Sequence, residues 1–205
     1  VTLAELVEKA RNFVKDTGSK VTDTELVDYA SYALADYSFN FPRKLVASGE
    51  LTATQSKPED ALPGPSIDLI EVDDEVFTFA EFGQFPTSGS FWYWRGETIY
   101  LTATPATSVY LHYRGAYLLP DDPITGDEVE DETDLGVPVQ DEELLVIYMA
   151  AKFHQKVGTV AAKLDRFKER GERDDNPLVL MHDVLMRQYR EKVMERKRRV
   201  SVKLW

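Results

Sequence analysis

Phe91-Trp92-Tyr93-Trp94-Arg95-Gly96-Glu97-Thr98-Ile99-Tyr100-Leu101-Thr102 decides how this chain folds. Two short runs of β-branched and aromatic residues alternate in period two, and Arg95-Gly96 offers a tight turn between them. Alternation puts Phe91 and Tyr93 on one face and Trp92 and Trp94 on the other. One pair is expected in a core; the other would be a subunit contact or a sugar-stacking platform. Similar runs lie on both sides: Ile67 to Val72, Val76 to Phe82 and Ser108 to Tyr113. Together they predict five or six strands, an antiparallel sheet or small β-sandwich. Pro58, Pro63, Gly64 and Pro65 mark a loop before it.

The flanks read as helices. Thr2-Leu3-Ala4-Glu5 and Thr22-Asp23-Thr24-Glu25 are capping-box patterns. Behind the first stand Leu3, Leu6, Val7, Ala10 and Val14, with Gly18 as a stop; behind the second stand Leu26, Tyr29, Ala30, Ala33, Leu34 and Tyr37, ending before Phe41-Pro42. A helix over about 140–157 would present Leu144, Ile147, Tyr148, Ala151 and Gln155 on one face. A short one with Val160, Leu164 and Phe167 inward follows. Asp175-Asn176-Pro177 starts a last helix running to about Arg198, with Leu178, Met181, Leu185, Tyr189 and Val193 inward. The expected class is α+β. A helical bundle of two N-terminal and about three C-terminal helices (1–44 and 138–199) carries a β-rich insertion (45–119). An acidic loop (120–137) and an extended C-terminal tail (200–205) complete it.

Charge is segregated along the chain. Residues 1–151 hold 9 Lys and Arg against 28 Asp and Glu, net −19, whereas residues 152–205 hold 15 against 8, net +7, summing to −12. The acidic excess argues against general nucleic-acid binding, which draws on cations at phosphates. Carboxylates lining a channel would instead let DNA pass without sticking. Their densest run, Asp127, Glu128, Glu130, Asp131, Glu132 and Asp134, falls in the predicted loop, facing a channel or a neighbour. The basic excess culminates in Arg196, Lys197, Arg198 and Arg199, followed by Val200, Val202, Lys203, Leu204 and Trp205. Four cations in a row exceed what a helix dipole needs. The alternating residues after them read as a strand-like peptide for another chain's sheet edge, with Trp205 as anchor.

The sequence carries no signature of catalysis. There is no P-loop, G-x-G-x-x-G or G-x-S-x-G. His112, His154 and His182 lack ligand partners at helical spacing, and there is no cysteine. No cofactor or metal is expected, and a carboxylate pair among so many acids has no specificity for glycoside hydrolysis. The longest apolar run, Leu144 to Ala151, is far short of a membrane span of ~20 residues. Charges inside the helical pattern of Val1 to Val14 argue against a secretory signal.

The layout resembles the head-to-tail adaptor (connector) proteins of tailed bacteriophages, closest to the tail tubular protein A group of short-tailed phages. The resemblance rests on the Thr2–Tyr37 helix pair and the β insertion ending in Tyr113-Arg114-Gly115-Ala116-Tyr117-Leu118-Leu119-Pro120. It rests above all on Val137-Pro138 with Glu142-Glu143-Leu144-Leu145-Val146-Ile147-Tyr148-Met149-Ala150-Ala151-Lys152-Phe153, and on Asn176-Pro177-Leu178 to Val193. It implies a structural virion protein, not an enzyme, assembled in a bacterial host's cytoplasm. Such a protein forms a dodecameric ring at the head–tail junction, with packaged DNA passing through without specific binding and no membrane involved. Portal protein would dock on Arg196–Trp205, and tail (nozzle or tube) proteins on the other face, with Trp92 and Trp94 as subunit or tail contacts. The alternatives are a carbohydrate-binding or cell-wall-acting module using Trp92 and Trp94, and a nucleic-acid binder using the basic tail.

Overall fold

The computed structural model describes residues 1–16, 20–50, 54–56, 58, 61–62, 66–72, 75–95, 98–102, 108–119, 124–125, 128–129, 134–159 and 177–202. The class is α+β. The chain divides into two compact units, one of Val1–Asn40 with Leu118–Trp205 and one of Phe41–Tyr117.

In the first unit, α1 (Leu3–Val14) and α2 (Asp23–Asn40) both start in reciprocal caps. Thr2 Oγ1 accepts from Glu5 N at 3.3 Å while Glu5 Oε2 accepts from Thr2 N at 3.1 Å. Thr22 and Glu25 repeat the exchange at 3.3 and 3.0 Å. Each pair satisfies two of the N–H groups a helix start leaves open. Helix α1 stops earlier than Gly18 suggested: Lys15 turns left-handed, with φ of 52°, and Asp16 N–H bonds back to Arg11 O at 3.1 Å.

After a 3-10 turn at Val139–Asp141 comes α3 (Glu142–Thr159), and α4 (Pro177–Val202) ends the described chain. Helix α3 packs against α1, α2 and α4. It is therefore buried on most of its circumference, at Leu144, Leu145, Val146, Ile147, Met149, Ala150, Ala151 and Phe153. That corrects the expectation of a single inward face, since a helix apolar nearly all round belongs inside. Tyr148 is half-buried and Gln155 exposed. An ion pair from each neighbour also reaches α3 or its entry: Lys9–Glu142, Lys156–Glu25, Lys192–Glu143 and Arg196–Asp141. The short helix expected around Val160–Phe167 lies outside the described residues.

Helix α4 buries Leu185, Tyr189 and Val193, spaced four apart, but Met181 is 44% exposed, so its inner stripe starts a turn later than predicted. The helix continues through Val202. Val200 and Val202 are therefore helical, which corrects the extended tail: after Arg199 the backbone continues its i→i−4 ladder instead of leaving it. Lys203, Leu204 and Trp205 lie outside the described residues.

Parts of the acidic segment fall among the described residues. Ile124–Thr125 (β8) pairs with Glu128–Val129 (β9), Asp134 bridges to Thr2, and Leu135 N–H donates to Val1 O at 3.0 Å. Leu135 and Val137 are buried, and it is this apolar pair that draws the segment's end onto the helices.

The second unit is a seven-stranded sheet in the order β1-β7-β3-β4-β5-β6-β2. Its strands are β1 (Arg43–Glu50), β2 (Thr54–Ser56), β3 (Ile67–Val72), β4 (Glu75–Phe79), β5 (Phe91–Arg95), β6 (Thr98–Leu101) and β7 (Ser108–Gly115). The all-antiparallel expectation is corrected at one seam: β4 and β5 run parallel, with Thr78 opposite Phe91 and Phe79 opposite Trp92. A parallel pair needs a crossover rather than a hairpin, and the residues between Phe79 and Phe91 supply it. Chain geometry also demands curvature. The edge strands β1 and β2 are consecutive, and four steps from Glu50 to Thr54 reach at most ~14 Å. A flat sheet of this width would separate its edges by roughly 29 Å. The sheet accordingly curls into a half-barrel, around Ile67, Ile70, Phe77, Trp92, Ile99, Leu101, Val109, Leu111 and Tyr113.

Candidate functional site

Three groups of residues were candidates, and the structure treats them differently. At the basic end of α4, the helix brings Lys192, Arg196 and Arg199 onto the side facing the 3-10 turn. Asp141 is a buried carboxylate there, 4% exposed at its side chain, 2.9 Å from Arg196 Nε through Oδ1. Its Oδ2 accepts from Tyr37 Oη at 2.8 Å and from Arg196 Nη2 at 3.3 Å. Three elements thus converge on one carboxylate: α2, the 3-10 turn and α4. On the next residue, Lys197 Nζ donates to Asn40 Oδ1 at 2.8 Å, and Arg199 pairs with Glu195 on its own helix. Arg196 and Lys197 therefore anchor α4 to its own unit. This splits the predicted basic docking site: Arg198 and Arg199 are exposed, whereas Arg196 is largely covered.

The Tyr side chains beside this hub are held in their neutral form. Burial raises the Tyr189 phenol above its ordinary pKa, and its hydrogen bond to the Asp36 carboxylate adds to that. Burial also raises Tyr148, whose ring meets that of Tyr189 edge to face at 5.3 Å. On the far part of the α3–α4 seam, burial and the neighbouring His182 lower His154. His182 Nδ1 lies 2.9 Å from Ala151 O.

The second group was Trp92 and Trp94. Trp92 is 3% exposed in the core of the half-barrel, and Trp94 packs against the same core at partial exposure. The parity that pairs them turns both rings toward the core of the half-barrel, Trp92 fully and Trp94 in part. The outward pair is Phe91 and Tyr93, which the sequence had offered as the alternative. There the segment between β4 and β5 folds back over the strand. Phe85 stacks on Phe91 at 5.6 Å and tilts on Tyr93 at 4.9 Å, and Tyr93 stacks on Tyr100 at 5.2 Å. Phe82, 62% exposed, closes the cluster, with Arg95 over its ring at 5.8 Å. Gly83 and Gly89 take φ of 89° and 97°, a left-handed backbone that favours glycine and lets the segment double back. Sequence reasoning missed Phe82 and Phe85 because their contacts are set by this reversal, although two Phe beside two Gly in a charge-poor stretch was a readable signal.

The third group was the acidic run. Asp134 is exposed, and its Oδ1 accepts from Gly136 N at 2.9 Å, which fixes the turn into the buried Leu135 and Val137. Glu128 lies in β9. Asp127, Glu130, Asp131 and Glu132 lie outside the described residues.

Among the described residues, no cluster of three or more His, Asp or Glu could hold a metal ion, and no helix is long and apolar enough to cross a membrane. A comparison with models of protein families finds no match for this chain, and a search of curated proteins finds none either.

Proposed function

We propose that this protein is a structural adaptor of a tailed-phage virion. In this reading it forms a ring at the head–tail junction, docks portal protein through the end of α4, meets tail proteins on its other face and lets DNA through. Its helices form one bundle that carries the half-barrel, and the protein has no catalytic role. One observation carries the reading: α4 keeps its helical course past Arg196 and Lys197, which tie it to the 3-10 turn and α2. At 1.5 Å per residue its length is roughly 39 Å, against roughly 27 Å for α3, on which it packs. A helix end that continues past these anchors and carries exposed Arg198 and Arg199 suits insertion into another protein.

The test is truncation after Lys197, which removes the end of the helix and leaves both anchors. The expected result is an unchanged fold by circular dichroism and loss of ring complexes when the protein is mixed with its portal and imaged by electron microscopy. Normal portal binding by the truncated chain would refute the docking assignment.

A further inference from the structure

A second feature of the helical unit is lined by Tyr189 and not by Asp141. Helices α2 and α4 both pack on α3 and leave a groove of about 430 Å³ between them, open to solvent. Tyr148 of α3 and Tyr189 of α4 form its floor. Met186, Arg190, Met194 and Lys197 form the α4 wall, and Asp36 and Asn40 the α2 wall. Met194 is 54% exposed, an unbranched apolar side chain at the surface of a helix. Such side chains adapt to an incoming partner.

The groove lining is net positive, two cations against one carboxylate. Arg190 and Lys197 line it, and Lys152 stands over the Tyr148 ring at 5.6 Å. The lining carboxylate, Asp36, already accepts from Tyr189 Oη and, at 3.1 Å, from Asn40 Nδ2. An occupant should therefore bring its own carboxylates, together with small apolar side chains for the methionines and tyrosines. This chain contains such a segment. Residues 119–133 hold seven Asp and Glu, no Lys or Arg, and Ile124 and Val129 among them.

We propose that this groove binds a second copy of the chain through its acidic segment, residues 119–133. The charge segregation of the sequence then becomes head-to-tail complementarity, with the acidic segment of one protomer on the basic helix of the next. A contact between two different surfaces is heterologous, and it propagates into a ring when the rotation closes. The proposal deepens the adaptor reading by naming the contact between copies; it depends on that reading only for closure of the ring.

The experiment uses the full chain and a fluorescent synthetic peptide of residues 119–133. Anisotropy titration is expected to detect binding that weakens as salt rises. The exposed substitutions Arg190→Glu and Met194→Glu together should weaken it at least tenfold while helicity and melting stay as in the parent. In sedimentation, the parent should self-associate with rising concentration and the double variant should not. Three outcomes would overturn the proposal: no peptide binding, equal binding by the double variant, or equal binding of a scrambled peptide of the same composition. A chain that self-associates through the groove yet ignores portal would sink the adaptor reading and leave this contact standing.

Discussion

Replacing Asp141 by Ala would test whether the basic end of α4 is an anchor or a free docking surface. The carboxylate is 4% exposed and its partner Arg196 26% exposed. Removing one member of a buried ion pair costs about 3–5 kcal/mol, because the other charge is left without its counterpart. Arg196 keeps some access to water, which argues for the lower part of that range. Tyr37 Oη, buried with 1% of its residue exposed, also loses this acceptor. The two losses share one carboxylate and do not add freely, so the net expectation is about 3 kcal/mol. With a urea m-value of about 2 kcal/mol/M, the unfolding midpoint would fall by about 1.5 M.

The assay is urea unfolding followed by circular dichroism for Asp141→Ala, Arg196→Ala, the double variant and Arg198→Ala. Asp141→Ala and Arg196→Ala should each lower the midpoint, and the double variant should fall by clearly less than their sum, with a coupling above about 1 kcal/mol. Arg198→Ala, on the exposed side of the helix, should stay within about 0.5 kcal/mol of the parent. A midpoint shift below about 0.5 M for Asp141→Ala, roughly 1 kcal/mol, or an equal loss for Arg198→Ala, would refute the division of the basic end into anchors and surface.

Two further outcomes follow from the same geometry. Trp92→Ala should destabilise the half-barrel by about 3–5 kcal/mol, as deletion of a buried ring does, whereas Phe82→Ser on the exposed cluster should cost no more than about 1 kcal/mol; chemical denaturation of both variants checks the order. Stability should also fall as pH drops below the ordinary His value of 6.5, because the folded chain holds His154 below that value by burial and by the nearby His182. The unfolded chain then takes up the proton first, and the slope flattens once pH passes below the folded value. His154→Gln should remove that part of the slope in a pH series of unfolding midpoints. A further fall near and below 4.5 should remain, since Glu25 is held low chiefly by its hydrogen bond from Lys156.

Local chemistry was legible wherever a short stretch of chain contains both partners of an interaction. Thr2 with Glu5 and Thr22 with Glu25 are capping boxes because the two groups are three residues apart. The period-two runs at Phe91–Arg95 and Thr98–Leu101 likewise became neighbouring strands, with Arg95 opposite Thr98. The α+β class followed from these two periodicities. Strand β1 was not legible: Arg43–Glu50 has few large apolar residues, and it is a strand because β7 pairs with it along its whole length. The parallel seam between β4 and β5 was equally hidden, since hydrogen-bond direction leaves no trace in alternation.

The candidate sites divide the same way. By itself the sequence determined that Trp92 and Trp94 share one face and Phe91 and Tyr93 the other, that the cations gather after residue 152, and that the acids peak before it. Only the tertiary structure decided which aromatic face is core, that Arg196 turns onto Asp141 while Arg198 stays in solvent, and that α2 and α4 leave a groove over Tyr148. The physical reason is range. Backbone periodicity and caps act within a few residues, but burial and ion pairing depend on groups brought together from distant parts of the chain, as Tyr37, Asp141 and Arg196 are.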